Sequence, residues 1–157
     1  MKGVSEMIVP KMTYILMSSG LDCNLACRYC YHGVVSSKLE KALPMSSEIL
    51  SKIIKGASEI SLDSTFLWHG GEPLMAGLSH FEEAIRLQKM TLFPGKVINI
   101  LQSNMTLMSQ RRAEFFVRNG FRVSTSLDGS KESHNANRIF PWWVWQLRPC
   151  NEGCFLL

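Results

Sequence analysis

Three cysteines, Cys23, Cys27 and Cys30, fall within the eight-residue run Cys23-Asn24-Leu25-Ala26-Cys27-Arg28-Tyr29-Cys30. Thiolates so closely spaced suit zinc or iron–sulfur chemistry, and their number is informative. Closed structural zinc sites use four ligands, and cubane clusters are usually held by four cysteines. A [4Fe-4S] cluster held by three leaves one iron open to a chelating substrate or cofactor. The alternative on spacing alone is zinc, with His32 as fourth ligand in a Cys-x2-Cys-x-His arrangement. Three further stretches carry unusual residues: His69-Gly70-Gly71-Glu72-Pro73, Gln102-Ser103-Asn104 and Ser126-Leu127-Asp128-Gly129. Each alone is an ordinary turn former.

The elements that must position these motifs alternate along the chain. Residues 12–18 form a short apolar run ended by Ser19-Gly20, which reads as a buried strand feeding the cysteine loop. Ser46 or Ser47, preceded by Pro44, can cap a helix through about Ile60, with Ile49, Leu50, Ile53, Ile54, Ala57 and Ile60 on one apolar face. A second strand over 64–68 closes at Gly70-Gly71, and a second helix over 79–92 turns Phe81, Ala84, Ile85 and Leu92 inward. Residues 97–102 give a third strand. A third helix from Ser109 to Asn119 buries Ala113, Phe116 and Val117 and stops at Gly120 in a left-handed cap, before a fourth strand over 121–127. Strands alternating with helices of this length imply parallel pairing through right-handed crossovers, so the class is α/β. All four motifs then fall at carboxyl strand ends, the rim where sites of parallel α/β folds are assembled.

The cysteine signature following a first strand, with an aromatic just before the last cysteine, resembles the cluster loop of the radical S-adenosylmethionine (SAM) enzymes. LDCNLACRYCYH, FLWHGGEPLMAGL, NILQSNMTLM and VSTSLDGSKESHNANR, in that order, resemble the anaerobic sulfatase-maturating enzymes and the related SPASM-type peptide maturases, from about Tyr14 to Arg138. The resemblance implies a partial (βα)6 radical SAM barrel, of which this chain carries the first four strands. It implies that Cys23, Cys27 and Cys30 ligate a [4Fe-4S] cluster whose open iron is chelated by S-adenosyl-L-methionine, which reductive cleavage converts to methionine and a hydrogen-abstracting 5′-deoxyadenosyl radical. Tyr29 would then lie against the adenine, Gly70 and Gly71 would let the backbone approach the ligand, and Glu72 would accept a hydrogen bond from the SAM ammonium group. Gln102 and Asn104 would line the pocket, and Ser126 would contact the ribose or carboxylate. The implied partners are a protein or peptide substrate, sulfatase-like or ribosomally made, with similarity around HGGEP and SLDG leaning to the sulfatase type, and an electron donor such as flavodoxin or ferredoxin.

Some positions depart from the family pattern. Ser103, Met105 and Ser130 stand where Thr, Gly and Pro are more usual, and Met105 puts a bulky side chain where a left-handed glycine is expected. His69 reads as a pocket wall, while Asp128 reads equally as a site residue or an ordinary turn residue, and Arg138 as a site residue or a solvated cation. No catalytic acid or base is assigned.

The 157 residues, with a net charge of +4, 46% hydrophobic and 19% charged, exclude global disorder and match one ordinary domain. The basic excess is mild and scattered, which gives no nucleic-acid groove, and the apolar run from Met7 to Met17 is broken by Pro10 and Lys11, which gives no membrane span. Thiolate ligation favours a reducing, cytoplasmic compartment. The radical SAM core is expected over 1–138. Residues 139–157, with Trp142, Trp143, Trp145, Cys150 and Cys154, form an atypical tail in place of the family's remaining βα units and auxiliary-cluster domain. On that reading the chain is truncated, retains the elements for cluster and partial SAM binding, and has little or no turnover; a non-catalytic zinc or iron–sulfur binding module is the alternative.

Overall fold

The computed structural model describes residues 11–32 and 44–141. Four strands, β1 (Met12–Met17), β2 (Ser64–His69), β3 (Val97–Ser103) and β4 (Arg122–Thr125), pair in sequence order, every pair parallel. Helices α1 (Ser47–Ile60), α2 (Leu78–Thr91) and α3 (Gln110–Arg118) make the crossovers. A 3₁₀ turn at Pro73–Ala76 and a short helix α4 (Lys131–Asn137), neither of them foreseen, follow β2 and β4. The residues beyond 141, with the tryptophans and Cys150 and Cys154, lie outside the described residues.

The two-residue period of the strands decides where the core sits. Leu16, Phe66, Trp68 and Leu101 point to the helices and are buried there with Leu50, Ile54, Phe81, Ala113 and Phe116. Their edge-on ring contacts, Trp68 to Phe81 at 5.4 Å and Phe81 to Phe116 at 5.2 Å, tie the helical layer together. The alternate face is less covered, and Ile15 upon it is 65% exposed. Helices on one face and an open opposite face make this a barrel wall rather than a doubly wound sheet. Within the core, Asn99 accepts from Trp68 Nε1 at 2.9 Å and exchanges two hydrogen bonds with Gln88, so the buried amides are satisfied.

The caps follow the sequence reading. Ser46 accepts from Ile49 N, Ser109 from Arg112 N, and Gly120 takes φ +67° beyond α3. Phe121 N donates to Phe116 O at 2.9 Å, and its ring packs 4.9 Å from that of Phe116. This corrects three expectations. Phe121 belongs to the cap and the core rather than to a strand over 121–127. It fills the end of the core where Val117 was expected, and Val117 is outside. Ile49 and Ile60 are also exposed, because the buried face of α1 runs through Leu50, Ile54 and Ala57 and leaves them at its margins. An alanine at Gly120 meets nothing within 4 Å, so only the left-handed backbone opposes it. Gly120→Ala is expected to cost about 1–2 kcal/mol and to lower the Tm by about 2–8 °C, measured by thermal melting.

Candidate functional site

The cysteine loop leaves β1 at the carboxyl rim and is fastened there at three places. The first is a backbone clamp. Gly71 N donates to Gly20 O at 3.0 Å, Glu72 N to Asp22 O at 2.8 Å, and Ser19 Oγ to Glu72 O at 2.9 Å. Gly70 has φ +109°, and a side chain on it would stand 2.9 Å from Gly20 O. The glycines thus admit the backbone of residues 20–22 directly against the turn after β2.

The second is an amide network. Asn24 Nδ2 donates to Thr106 Oγ1 at 2.6 Å, and Asn104 Nδ2 donates to Asn24 Oδ1 at 2.9 Å and faces Cys23 Sγ at 3.6 Å. The third joins the loop to the segment after β4. Ala26 N donates to Ile139 O and Arg28 N to Asn137 O, while Tyr29 Oη donates to Asp128 Oδ2 at 2.6 Å. Arg138 Nε donates to Asp128 Oδ1 at 3.1 Å, and its guanidinium lies 5.5 Å above the Tyr29 ring. Asp128 and Arg138 are therefore neither a plain turn residue nor a solvated cation, since their side chains are only 18% and 11% exposed.

Glu72 is the buried centre of the rim. Its Oε1 accepts from Leu74 N at 3.0 Å and Ser103 Oγ at 2.8 Å, and its Oε2 from Asn104 N at 2.8 Å. Burial pushes its carboxyl above the ordinary range, an effect these donors oppose. Ser103, a departure from the family pattern, is thus a hydrogen-bonding partner of Glu72. Met105 occupies the left-handed conformation foreseen for a glycine, at φ +63°, with its side chain in the core. Ser130, the third departure, caps α4 by accepting from Ser133 N.

All ten residues singled out for metal and cofactor face one cavity of about 180 Å³: Cys23, Cys27 and Cys30; Tyr29; Gly70, Gly71 and Glu72; Gln102 and Asn104; and Ser126. Gln102 Nε2 donates to Ser126 Oγ at 3.1 Å, joining the ends of β3 and β4. His32 and His69 line the same cavity, and His32 Nε2, buried, has no hydrogen-bond partner. A second, larger cavity of about 480 Å³ lies between α2 and α3 at the amino ends of the strands and has no thiol or carboxylate in its lining.

Burial pushes the Cys23 thiol up to about 11, against lowering bonds from Leu25 N and Asn104, and raises Cys27 in the same sense. Three cysteine thiols on one cavity are a donor set that fits an iron–sulfur cluster. Three free thiols on one cavity, with no fourth cysteine among the described residues, match a cluster with one open iron.

Sequence reasoning missed the partners of this loop, Asn24, Thr106, Asp128 and Arg138. Nothing local marks them, because Tyr29 and Asp128 are 99 positions apart and Asn24 and Thr106 are 82 apart. The Tyr29 hydroxyl, followed by Arg138, holds the Asp128 carboxyl below its ordinary range. A depressed folded value means that this contribution to stability is present above the unfolded pKa of about 4 and is lost as pH falls through the lowered value. Asp128→Asn is therefore expected to cost about 1 kcal/mol at pH 7 and to lose less stability than the parent chain on acidification, read from urea midpoints across the acid range.

Comparison with known proteins agrees with this geometry. Residues 17–146 match the family model of the Radical SAM superfamily. The cysteine-type anaerobic sulfatase-maturating enzyme of Clostridium perfringens is 36% identical over 134 residues, covering 83% of this chain and 36% of the relative. The serine-type enzyme of Bacteroides thetaiotaomicron is 37% identical over 144 residues, covering 88% of this chain and 34% of the relative. The chain thus spans about a third of the length of these curated relatives. The solved structure "Native anSMEcpe with bound AdoMet and Cp18Cys peptide" superposes with a TM-score of 0.82 at 31% identity, covering 94% of this chain and 40% of that one. Four parallel strands walled by helices on one face, with three thiols at the rim and the family model matched from the first strand onward, place the chain in the radical SAM superfamily.

Proposed function

We propose that this chain holds a [4Fe-4S] cluster through Cys23, Cys27 and Cys30 and binds S-adenosyl-L-methionine beside it, as the radical-generating part of a maturase. The observation that supports this most directly is that the three thiols face the same cavity as Gly70, Gly71, Glu72, Gln102, Asn104 and Ser126, although four separate strand ends supply them. When bound, the cluster supplies the electron that cleaves SAM to methionine and a 5′-deoxyadenosyl radical able to take hydrogen from a substrate carbon.

The chain's own residues bind, orient and exclude water. The Gly20–Asp22 clamp on Gly71 and Glu72 fixes where the first thiol starts, and the strap from Asp128 to Tyr29 fixes where the last two lie. Glu72 Oε2 has one protein donor and retains capacity for a ligand ammonium group. The Gln102–Ser126 pair presents hydroxyl and amide groups to a ribose, and the Tyr29 ring, 55% exposed, offers a face to the adenine. The substrate class we propose is a protein or peptide, with conversion of a sulfatase cysteine or serine to formylglycine favoured by the two relatives, and flavodoxin or ferredoxin as electron donor in the cytoplasm. No helix among the described residues is long and apolar enough to cross a membrane.

The test is anaerobic reconstitution with iron and sulfide, followed by reductant and SAM. A brown protein that binds SAM and forms 5′-deoxyadenosine only slowly is expected. An intact cluster without that product would leave a non-catalytic iron–sulfur module, and zinc bound in place of iron would leave a structural zinc module.

A further inference from the structure

The Asn104 side chain is held in one orientation by its neighbours. Its Oδ1 accepts from Thr106 N at 3.0 Å and from Thr106 Oγ1 at 2.7 Å. Its Nδ2 donates to Asn24 Oδ1 at 2.9 Å and faces Cys23 Sγ at 3.6 Å. Turning the amide over would set its oxygen against both the Asn24 oxygen and the sulfur, and would face its NH₂ toward the Thr106 N–H. The backbone is anchored separately, since Asn104 N donates to the buried Glu72 carboxylate at 2.8 Å. The orientation therefore does not depend on any ligand being present. Among the described residues Asn104 is the one side-chain donor that reaches any of the three thiols, and Leu25 N adds a backbone donor to the same sulfur at 3.4 Å.

We propose that Asn104 tunes the reduction potential of the cluster through the Cys23 sulfur, its amide N–H making the cluster easier to reduce. The proposal rests on the cluster reading above. A reduced cluster carries one more negative charge, part of it on the ligating sulfurs, so a fixed N–H dipole aimed at one of them stabilises the reduced form more than the oxidised form. The effect is electrostatic and local, and partial burial keeps water from screening it. A neutral amide also suits the position chemically, because it donates without competing for iron, whereas a carboxylate there would oppose reduction. Asn24 and Thr106 act one step back, as positioning residues that aim the amide.

The experiment is a redox titration of the reconstituted chain, followed by electron paramagnetic resonance, for the parent, Asn104→Ala and Thr106→Val. Asn104→Ala keeps the backbone bond to Glu72 and removes only the amide. It is expected to lower the ratio of reduced to oxidised cluster at a fixed poise roughly three- to tenfold, about 30–60 mV at 59 mV per tenfold for a one-electron couple. Thr106→Val keeps the amide but removes one of the two bonds on its oxygen, and should shift the midpoint in the same direction by less. A midpoint equal to the parent's in Asn104→Ala, or one shifted upward, overturns the proposal. Should Asn104→Ala hold no cluster, Thr106→Val decides, and an unshifted midpoint there overturns it. A parent chain that assembles no cluster removes both this inference and the function it rests on, whereas a parent-like midpoint with an intact cluster removes the tuning alone.

Discussion

Cys27→Ala is expected to abolish cluster assembly and leave the fold standing. Three ligands are the fewest that hold a cubane with one open iron, and no fourth cysteine lies among the described residues to replace a lost one. Loss of a contact that merely supports a ligand costs about 10–100-fold in metal affinity, and loss of the ligand itself should exceed that. The fold should survive because Cys27 is only partly buried and stands in a loop, while the core rests on Trp68, Phe81, Phe116 and their neighbours. The backbone bonds of Ala26 and Arg28 to residues 139 and 137 do not involve the Cys27 side chain. The checks are iron and sulfide content after reconstitution and the far-ultraviolet helical signal. Iron retained at the parent level would remove the loop's assigned role, and a lost helical signal would show that the thiol supports structure instead.

The architecture and the common rim of the four motifs were both readable in the sequence, for a local reason. Period-two runs and three-and-four spaced helix faces report each element from within a dozen residues, and the motifs abut those elements directly, so their common rim follows from parallel pairing alone. What could not be read is how the rim is tied together. Glu72 illustrates this. The resemblance marks it as a ligand contact, and nothing local shows that it also accepts from Leu74, Ser103 and Asn104, two of which arrive from another strand end. Arg138 reads as solvated because its partner Asp128 is ten positions away across a turn and a helix whose spacing carries no period. Met105 shows the converse. The sequence marks it as a misfit, and the structure gives the reason it is tolerated: its side chain is buried, and its N–H is held by Ser103 Oγ at 3.0 Å. Burial of a methionine side chain is worth about 1.5–3 kcal/mol, enough to offset the 1–2 kcal/mol or so that a left-handed non-glycine costs.

Gly71→Ala is expected to be the most damaging single methyl in the described chain. Its backbone does not need glycine for conformational reasons, since its φ lies outside the left-handed region; space is the constraint. An added Cβ would overlap the carbonyl oxygen of Asp22 and stand 2.5 Å from its carbon and 2.8 Å from that of Leu21. These are backbone atoms, so no rotamer change relieves the overlap. The two segments must separate, which breaks the bonds of Gly71 N to Gly20 O and Glu72 N to Asp22 O and loosens Ser19 Oγ from Glu72 O. At about 1–3 kcal/mol for each buried group left unsatisfied, the cost should reach roughly 3–5 kcal/mol, and a Tm fall of about 2–4 °C per kcal/mol puts it near 10 °C or more. The damage is also directed, because the displaced segment leads into Cys23, so cluster retention should fail even at temperatures where the remaining core is folded. Gly56→Ala is the control. It lies within α1, an added methyl there meets nothing within 4 Å, and alanine in a helix interior is favoured over glycine by about 0.5–1 kcal/mol. Thermal melts and iron content of the two variants side by side decide the matter. Should Gly71→Ala melt and bind iron like Gly56→Ala, the clamp does not hold the cysteine loop, and its position must be set by the Asn104 network and the Asp128 strap alone.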